Sequence, residues 1–238
     1  MRKQLFILMA ALAILVSCNQ VKKDENKQAD NVEKIEIDQD LSSYFKTIDL
    51  DFDFKVILGQ EEGFENSKAY TYFKLVRNSN TIYIDSSLTE YDFGNDLFPI
   101  VLPIGDNSFE LFFEINNRPN KNYLKRFFVK KNKLVRQDKL PVFEAESKDI
   151  NNDGIKEYAG FWDYSQIWGE KDKFTVYNPI LYYSVTKTGL QLDSILTRER
   201  NELIYGQFYG FSFNERNEQP ISTIAKFEKE LNLITNKL

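Results

Sequence analysis

Short runs of β-branched and aromatic residues, separated by Asn, Asp, Gly, Ser and Pro, fill the chain from about residue 48 to residue 213. Such runs are typical of β-strands joined by tight turns. Two antiparallel hairpins are the clearest cases, residues 69–84 around a turn at 78–80 and residues 124–136 around a turn at 130–133. Further strands are expected at residues 109–115, 142–146, 158–164, 180–186, 190–194 and 205–213. The sequence therefore predicts a mainly β fold, in which hairpins or a meander form a sandwich or a partial, propeller-like sheet.

The last part of the chain has a different apolar period. Beyond Pro220, apolar residues recur at helical spacing, at Ile224, Phe227, Leu231 and Ile234. Charged residues occupy positions between them, as in an amphipathic helix. We therefore expect one C-terminal helix over about residues 221–236, which closes a single β-rich domain of residues 36–238. A division of this domain near residues 99–103 is the alternative.

The first residues of the chain are typical of an export signal, with two positive charges followed by an uncharged apolar run over residues 5–16. A membrane-spanning helix needs about 20 apolar residues, so this run is too short to be one. The sequence from Leu15 to Cys18 reads LVSC and resembles the box of bacterial lipoproteins. The resemblance implies that residues 1–17 are removed and that Cys18 is acylated on its sulfur and its amine. An ordinary signal peptide, with an incidental Cys18, is the alternative.

The segment after Cys18 is polar and charged, with almost nothing apolar to bury. Such a segment cannot offset the entropy lost on ordering, so residues 18–35 are expected to form a disordered tether. Residues 22–25, KKDE, resemble the charged tag that some Gram-negative lipoproteins carry near the acylated cysteine. A plain hydrophilic spacer is the alternative. The expected location is the outer membrane of a Gram-negative bacterium. The sequence does not indicate whether the protein lies on the periplasmic or the outer face.

The residues that the chain lacks restrict its chemistry. It contains no histidine, which excludes Ser-His-Asp and Cys-His nucleophiles, HExxH zinc sites and haem ligation through His. Cys18 is the only cysteine, so the domain holds no disulfide. The net charge is −5 without a basic block, which argues against nucleic acid as a partner. An enzyme built from this chain would have to use carboxylates, Tyr, Lys or Arg.

Residues 149–157, DINNDGIKE, are the one motif that indicates a metal site. Asp149, Asn151 and Asp153 place oxygen donors at alternate positions, and Gly154 permits the turn that lets the carbonyl of Ile155 join them. Calcium is the natural occupant, because it accepts six to eight oxygens in flexible geometry. A tight turn stabilised by Asn and Asp, without any metal, is the alternative.

The position of the last acid decides which kind of loop this is. An EF-hand needs an acid at position twelve between two helices, and position twelve here is Gly160. The pattern D-x-N-x-D-G-x-x-E between strands instead resembles the calcium loop of FG-GAP and VCBS-type β repeats. That resemblance implies side-chain ligands and one carbonyl ligand, namely Asp149, Asn151, Asp153, Glu157 and the carbonyl of Ile155. Those families repeat the motif blade after blade, whereas it occurs once here, so a seven-bladed propeller is not expected.

Three kinds of function are compatible with these features, and one of them, a purely structural envelope protein, cannot be separated from a binding module by residues alone. The first is a lipid-anchored, calcium-stabilised module that binds a glycan or an envelope protein. Trp162 and Trp168, close after the loop, could then stack on sugar rings, although filling of a β-sheet core is the more ordinary role. The second is a glycan hydrolase that uses a pair of carboxylates. The sequence does not indicate which acids would form that pair.

Overall fold

A computed structural model describes residues 44–50, 52–60, 69–85, 90–105, 107–164, 166–171 and 173–236. All of them belong to one compact unit that extends from Asp40 to Leu238. The predictions for the export signal, for Cys18 and for the tether lie outside the described residues. Within those residues, no helix is long and apolar enough to cross a membrane.

The described residues form sixteen strands and two helices. In chain order they are β1 Tyr44–Asp49, β2 Phe54–Gly59, β3 Ala69–Tyr70, β4 Tyr72–Arg77, β5 Asn80–Asp85, β6 Tyr91–Asp92, β7 Ile100–Pro103, β8 Ser108–Ile115, β9 Tyr123–Lys130, β10 Lys133–Pro141, β11 Glu157–Gly160, β12 Ile167–Trp168, β13 Phe174–Tyr177, β14 Leu181–Thr186, β15 Gly189–Leu192, α1 Ser194–Tyr205, β16 Asn214–Pro220 and α2 Ser222–Thr235. The predicted mainly β fold is confirmed, and so is the C-terminal helix.

The strands pair antiparallel in four sheets. The first sheet has the order β1-β2-β4-β5, and the second has the order β10-β9-β8-β6-β3, with β7 also paired to β8. The third is β11-β14-β15 and the fourth is β12-β13-β16. Both predicted hairpins are present as β4-β5 and β9-β10. Their turns place Asn78 and Ser79, and Lys131 and Asn132, at positive φ, which matches the right-handed twist of paired strands.

The first two sheets pack face to face around an aromatic core. Phe73 lies at its centre, with its ring centroid 4.9 Å from that of Tyr91 and 5.4 Å from that of Phe127. Phe54 and Phe109 meet edge to face at 4.4 Å across the same interface. All five rings are almost completely buried. Each such side chain stabilises the fold by about 1.5–3 kcal/mol relative to an exposed one, so this interface is a sandwich core.

Two further core clusters lie on opposite faces of the third sheet. Leu181 and Tyr183 of β14 contribute to a cluster that also contains Phe112 of β8. Tyr182, between them, belongs to a cluster shared with Leu196 of α1 and Ile234 of α2. This alternation follows from the period of two in a strand, which sends neighbouring side chains to opposite faces. The third sheet therefore joins the sandwich on one side to the helices on the other.

A buried ion pair fastens the second sheet to β15. Glu110 of β8 is 1% exposed and accepts hydrogen bonds from Arg126 Nε at 3.0 Å and from the N–H of Leu190 at 2.8 Å. Arg126 also donates to the carbonyl of Leu190 at 2.8 Å. Gly189 adopts φ +107°, and a Cβ there would lie 2.8 Å from Glu110 Oε1. Only glycine therefore fits at this point of close approach.

Helix α1 was not predicted, and the strand expected at 205–213 was wrong. The chain has the usual signals for a helix here, since Asp193 caps the first turn by accepting from the N–H of Leu196 at 2.9 Å, and Gly206 ends it at φ +76°. The apolar period is interrupted, however, because two of the helix's four buried side chains are polar, Thr197 and Asn201. Hydrophobic periodicity alone therefore misses the helix.

The two polar residues of α1 hydrogen-bond to Tyr182 of β14 and to Ile180, the residue before that strand, where β15 has ended. Asn201 accepts from the N–H of Ile180 at 3.0 Å and donates to the carbonyl of the same residue at 2.7 Å. Thr197 Oγ1 accepts from the N–H of Tyr182 at 3.0 Å. Side chains four residues apart lie on one helix face, so the pair reaches two alternate residues, Ile180 and Tyr182, along one edge of the chain. The helix thus takes the place that a paired strand would occupy.

Helix α2 is held against α1 and β14 by one carboxylate. Glu230 is 7% exposed and accepts from Tyr182 Oη at 2.5 Å and from Arg200 Nε at 2.7 Å. Burial, and then the charge of Glu230, raise the pKa of Tyr182 far above its ordinary value, so its hydroxyl remains a donor. Three elements therefore meet at a single buried acid.

Candidate functional site

The predicted calcium loop projects from the start of β11. Lys148 and Glu157 form an antiparallel bridge at its base, with N–H to carbonyl distances of 3.1 and 2.8 Å. The strand predicted after the loop is present as β11. The strand predicted before it, residues 142–146, is reduced to a bridge between Phe143 and Gly160. The loop is therefore closed at its base by this bridge, and a regular strand, β11, follows it on one side only.

Inside the loop, side-chain oxygens accept hydrogen bonds from backbone N–H groups of the loop itself. Asp149 accepts from the N–H groups of Asp153 at 3.0 Å and of Gly154 at 2.9 Å. Asn151 Oδ1 also accepts from the N–H of Asp153, at 3.1 Å. Asp153 Oδ1 accepts from the N–H of Ile155 at 2.8 Å. Gly154 has φ +87°, as the predicted sharp turn requires. A carboxylate oxygen has more than one lone pair, so these bonds leave acceptor capacity for a cation.

Glu157 differs from the other predicted ligands because it is 1% exposed. Its Oε2 accepts from the N–H of Ile150 at 3.0 Å, whereas its Oε1 is buried without a hydrogen-bond partner among the described residues. Burial raises the pKa of Glu157, the bond from Ile150 opposes that rise, and the charges of Asp153 and Asp149 add to it. An unpaired buried carboxylate oxygen is costly, and a bound cation would remove that cost.

The donor set fits calcium in its chemistry, since every predicted ligand atom is an oxygen. In the residues that the structure describes, however, no three acidic, histidine or cysteine side chains are gathered as a metal site requires. Asp149 and Asp153 instead engage backbone N–H groups. Calcium binding at residues 149–157 therefore stays a prediction, supported by the orphaned oxygen of Glu157.

The aromatic residues after the loop have different surroundings. Trp162 is half-buried and packs against the core cluster that contains Phe112 and Tyr183. Trp168 is also half-buried and lies beside Phe174, with ring centroids 6.5 Å apart. Tyr164, by contrast, is 57% exposed. Trp162 therefore has the ordinary core role, whereas Tyr164 is an exposed aromatic residue.

A cavity of about 270 Å³ lies between β13, α2 and the segment that follows β11. Its walls are mostly aromatic and aliphatic, from Phe161, Tyr164, Val176, Tyr205, Phe227 and Leu231. Thr175, Thr223 and Glu228 are its polar members. The sequence did not indicate this cavity, because its walls come from segments far apart in the chain. The helical apolar stripe marked Phe227 and Leu231 as inward-facing, but it could not show that they face a cavity.

Asp92 and Glu114, two acids of the second sheet, lie close together around one amide group. Asn122 Nδ2 donates to Glu114 at 2.9 Å and to Asp92 at 3.3 Å, which bridges their carboxylates. Burial raises the pKa of Glu114, and its Oε2 has no partner among the described residues. Neither acid is among the residues that line the cavity. Among the described lining residues Glu228 is the single acid, so those residues do not include the carboxylate pair that a glycan hydrolase needs.

Comparison with protein-family models, with curated protein sequences and with solved structures finds no significant similarity to this chain. The resemblances of the LVSC box and of the calcium loop to known families therefore stay predictions. The function has to be inferred from the chain's own residues.

Proposed function

We propose that this chain is a lipid-anchored binding module of the bacterial cell envelope, stabilised by calcium at residues 149–157. The observation that carries the calcium part is the buried Oε1 of Glu157, which has no protein partner among the described residues. The LVSC box supports the anchor, and the exposed Tyr164 beside an apolar cavity supports a binding role. The partner that we infer is a glycan or an envelope protein.

The loop residues would hold calcium through oxygen atoms alone. Side chains of Asp149, Asn151, Asp153 and Glu157, with the carbonyl of Ile155, form the proposed ligand set. A divalent cation would offset the charge of three carboxylates, one of which is buried. Extracellular calcium modules often bind with dissociation constants of about 10⁻⁴–10⁻³ M. Calcium at this site would therefore act as a structural brace.

Calcium is expected to raise the melting temperature, because a ligand that binds only the folded state stabilises it. At about 5 mM calcium and the affinities above, the gain in free energy of unfolding is about 1–2 kcal/mol. Glu157→Gln removes the buried charge and should melt no lower than the wild type in chelator, while its response to calcium is lost. Differential scanning calorimetry with calcium and with chelator measures both effects.

The matched control for that experiment is Glu146→Gln, an exposed acid outside the loop. It should keep the full response to calcium. The calcium proposal fails if the wild type melts at the same temperature in calcium and in chelator. It also fails if Glu157→Gln retains the wild-type increase.

Replacing Cys18 by alanine is expected to abolish acylation and attachment to the membrane. Each buried CH₂ contributes about 0.8 kcal/mol to lipid anchoring, so a multiply acylated cysteine binds a bilayer almost irreversibly. Incorporation of labelled palmitate, with fractionation of the envelope, measures the change. Ser17→Ala keeps a small residue before the cysteine and serves as the control. Label that persists after Cys18→Ala would contradict the proposed anchor.

The hydrolase alternative has weaker support than the binding role. Glu114 and Asp92 share the amide of Asn122, and Glu110 and Asp138 share the guanidinium of Arg126, but none of these acids lines the cavity. The cavity with exposed aromatic surface at its rim lies elsewhere, beside α2. We therefore favour binding without hydrolysis.

A further inference from the structure

The β9-β10 hairpin concentrates basic residues in a chain that is acidic overall. Residues 121–139 hold eight of the chain's 31 lysines and arginines, and one of its 36 aspartates and glutamates. Apolar residues separate most of these cations along the sequence, and the pairing of β9 with β10 brings them together. The hairpin is therefore strongly positive, whereas the net charge of the whole chain is −5.

The cations at the turn of this hairpin differ from the others. Four of the eight form ion pairs within the fold: Lys121 with Glu144, Lys125 with Asp85, Arg126 with Glu110 and Arg136 with Asp138. Lys139 lies over the ring of Tyr123. The remaining three, Lys130, Lys131 and Lys133, are exposed, and none has a carboxylate oxygen within 4 Å among the described residues. We call these three residues the lysine tip.

The fold places like charges opposite each other at the lysine tip. Lys130 and Lys133 are direct partners in the register of β9 and β10. Residues paired in this way have Cβ atoms about 4.5–5.5 Å apart, and like charges there are destabilising. Arg77 brings a further cation to the turn, since its guanidinium donates to Asn132 and, at 2.8 Å, to Asn107, which are both neutral. An anion from outside the chain would relieve this repulsion, and local rules of stability are commonly broken where a protein binds something.

The form of the lysine tip favours an extended anionic surface as its partner. A lysine ammonium is a point charge on a flexible stem, so it needs no fixed geometry in the group that it meets. None of the three lysines lines the cavity, and Val135 beside them is 52% exposed. The net charge of −5 repels a free polyanion at long range, whereas an anchored domain is held close to its bilayer. Each lysine near an anionic bilayer strengthens binding about five-fold.

The proposed lipid anchor keeps a bilayer within reach of the lysine tip. Cys18 precedes Tyr44, the first described residue, by 26 positions. A chain of that length spans at most about 90 Å, which limits how far the domain can move from the membrane. Docking of an anchored domain is an intramolecular step, so even a weak attraction is enough to set its orientation.

We propose that the lysine tip docks on the anionic phosphate groups of the bilayer that carries the lipid anchor, so that the β9-β10 hairpin faces the membrane. The inference rests on the lipid anchor proposed above, and it assigns an orientation to the anchored domain. It depends neither on calcium nor on the cavity.

The test measures how close the hairpin lies to the bilayer in the full acylated chain, reconstituted in nanodiscs with chelator present. Val135→Cys places a thiol next to the lysine tip, and it is the single free thiol because the only native cysteine, Cys18, is acylated. A fluorophore on it transfers energy to an acceptor on the lipid headgroups when the two are close. Transfer should be efficient in discs of equal parts phosphatidylglycerol and phosphatidylcholine. It should be weak in pure phosphatidylcholine, and also at about 1 M salt, where the Debye length is about 3 Å.

Neutralising the lysine tip in the labelled chain is the main variant. Lys130→Gln, Lys131→Gln and Lys133→Gln together should lower the ratio of docked to undocked domain about 100-fold in the anionic discs. This variant should melt no lower than the wild type, because it removes a like-charge pair. The matched control removes three exposed lysines elsewhere, with Lys187→Gln, Lys226→Gln and Lys229→Gln, and should dock as the wild type does.

The proposal is overturned if energy transfer is equal in anionic and neutral discs, or if the lysine-tip variant and the control respond alike. A soluble acidic polysaccharide as the true partner of the lysines would give the first of these results. Absence of palmitate from Cys18 would overturn the anchor itself, and with it the bilayer as the partner. An acylated chain whose energy transfer ignores lipid charge overturns the docking alone, so the two failures are distinguishable.

Discussion

Replacing Glu110 by alanine is expected to lower the free energy of unfolding by about 3–5 kcal/mol, the usual cost of breaking a buried ion pair. Arg126, whose side chain is 11% exposed, would lose its nearer carboxylate partner and keep only Asp138, at 3.8 Å. The N–H of Leu190 would lose its acceptor as well. Domains of this size are commonly stable by about 5–15 kcal/mol, so the variant would lie close to the limit of folding. Urea denaturation followed by circular dichroism measures the change.

Two further variants distinguish the loss of the ion pair from the loss of the hydrogen bond to Leu190 and from the loss of any acidic residue. Glu110→Gln keeps an acceptor for Leu190 but loses the charge, so its stability should lie between those of the wild type and the alanine variant. Glu215→Ala removes an exposed acid from β16 and should change stability by less than about 0.5 kcal/mol. A loss below about 1 kcal/mol in Glu110→Ala would show that the ion pair does not fasten β15 to the second sheet.

Asn201→Ala is expected to destabilise the protein by about 3 kcal/mol. The N–H and the carbonyl of Ile180 would both lose their side-chain partner, and Ile180 is fully buried. Each unpaired buried group costs about 1–3 kcal/mol. Denaturation measures the global loss, and amide hydrogen exchange at Ile180 measures the local one.

Glu202→Ala is the matched control for Asn201→Ala, because it changes the adjacent, exposed residue of the same helix. It should leave both the stability and the exchange rate at Ile180 nearly unchanged. Asn201→Asp keeps the acceptor and loses the donor, so an intermediate stability is expected. Equal exchange at Ile180 in all three variants would contradict the role given to Asn201.

The elements that sequence reasoning predicted correctly are those with local causes. The β4-β5 and β9-β10 hairpins depend on turn residues that tolerate positive φ, such as Asn78 and Asn132. The C-terminal helix depends on an apolar period within its own residues. Helix α1 depends instead on a distant backbone, because Thr197 and Asn201 are buried through bonds to β14. Polar side chains buried in this way do not register in a hydrophobic pattern.

The candidate sites likewise combine features with local causes, which the sequence predicts, and features that depend on distant residues, which it does not. The oxygen spacing of residues 149–157 is local, so the loop could be recognised from the sequence. The burial of Glu157 and the unpaired state of its Oε1 could not, since they depend on how the loop is closed against the domain. The cavity was unpredictable for a stronger reason. Its walls bring together residues that are far apart in the chain, such as Phe161 and Leu231.

The position of α1 against β14 also affects how copies of the chain meet. An open strand edge offers unpaired N–H and carbonyl groups to any other extended chain, which is a common start of aggregation. Asn201 already pairs with both groups of Ile180, Thr197 pairs with the N–H of Tyr182, and the N–H of Asp193 pairs with the carbonyl of Tyr182. A neighbouring molecule therefore cannot extend the third sheet there by strand addition. The helix thus protects this part of the third sheet from intermolecular strand pairing.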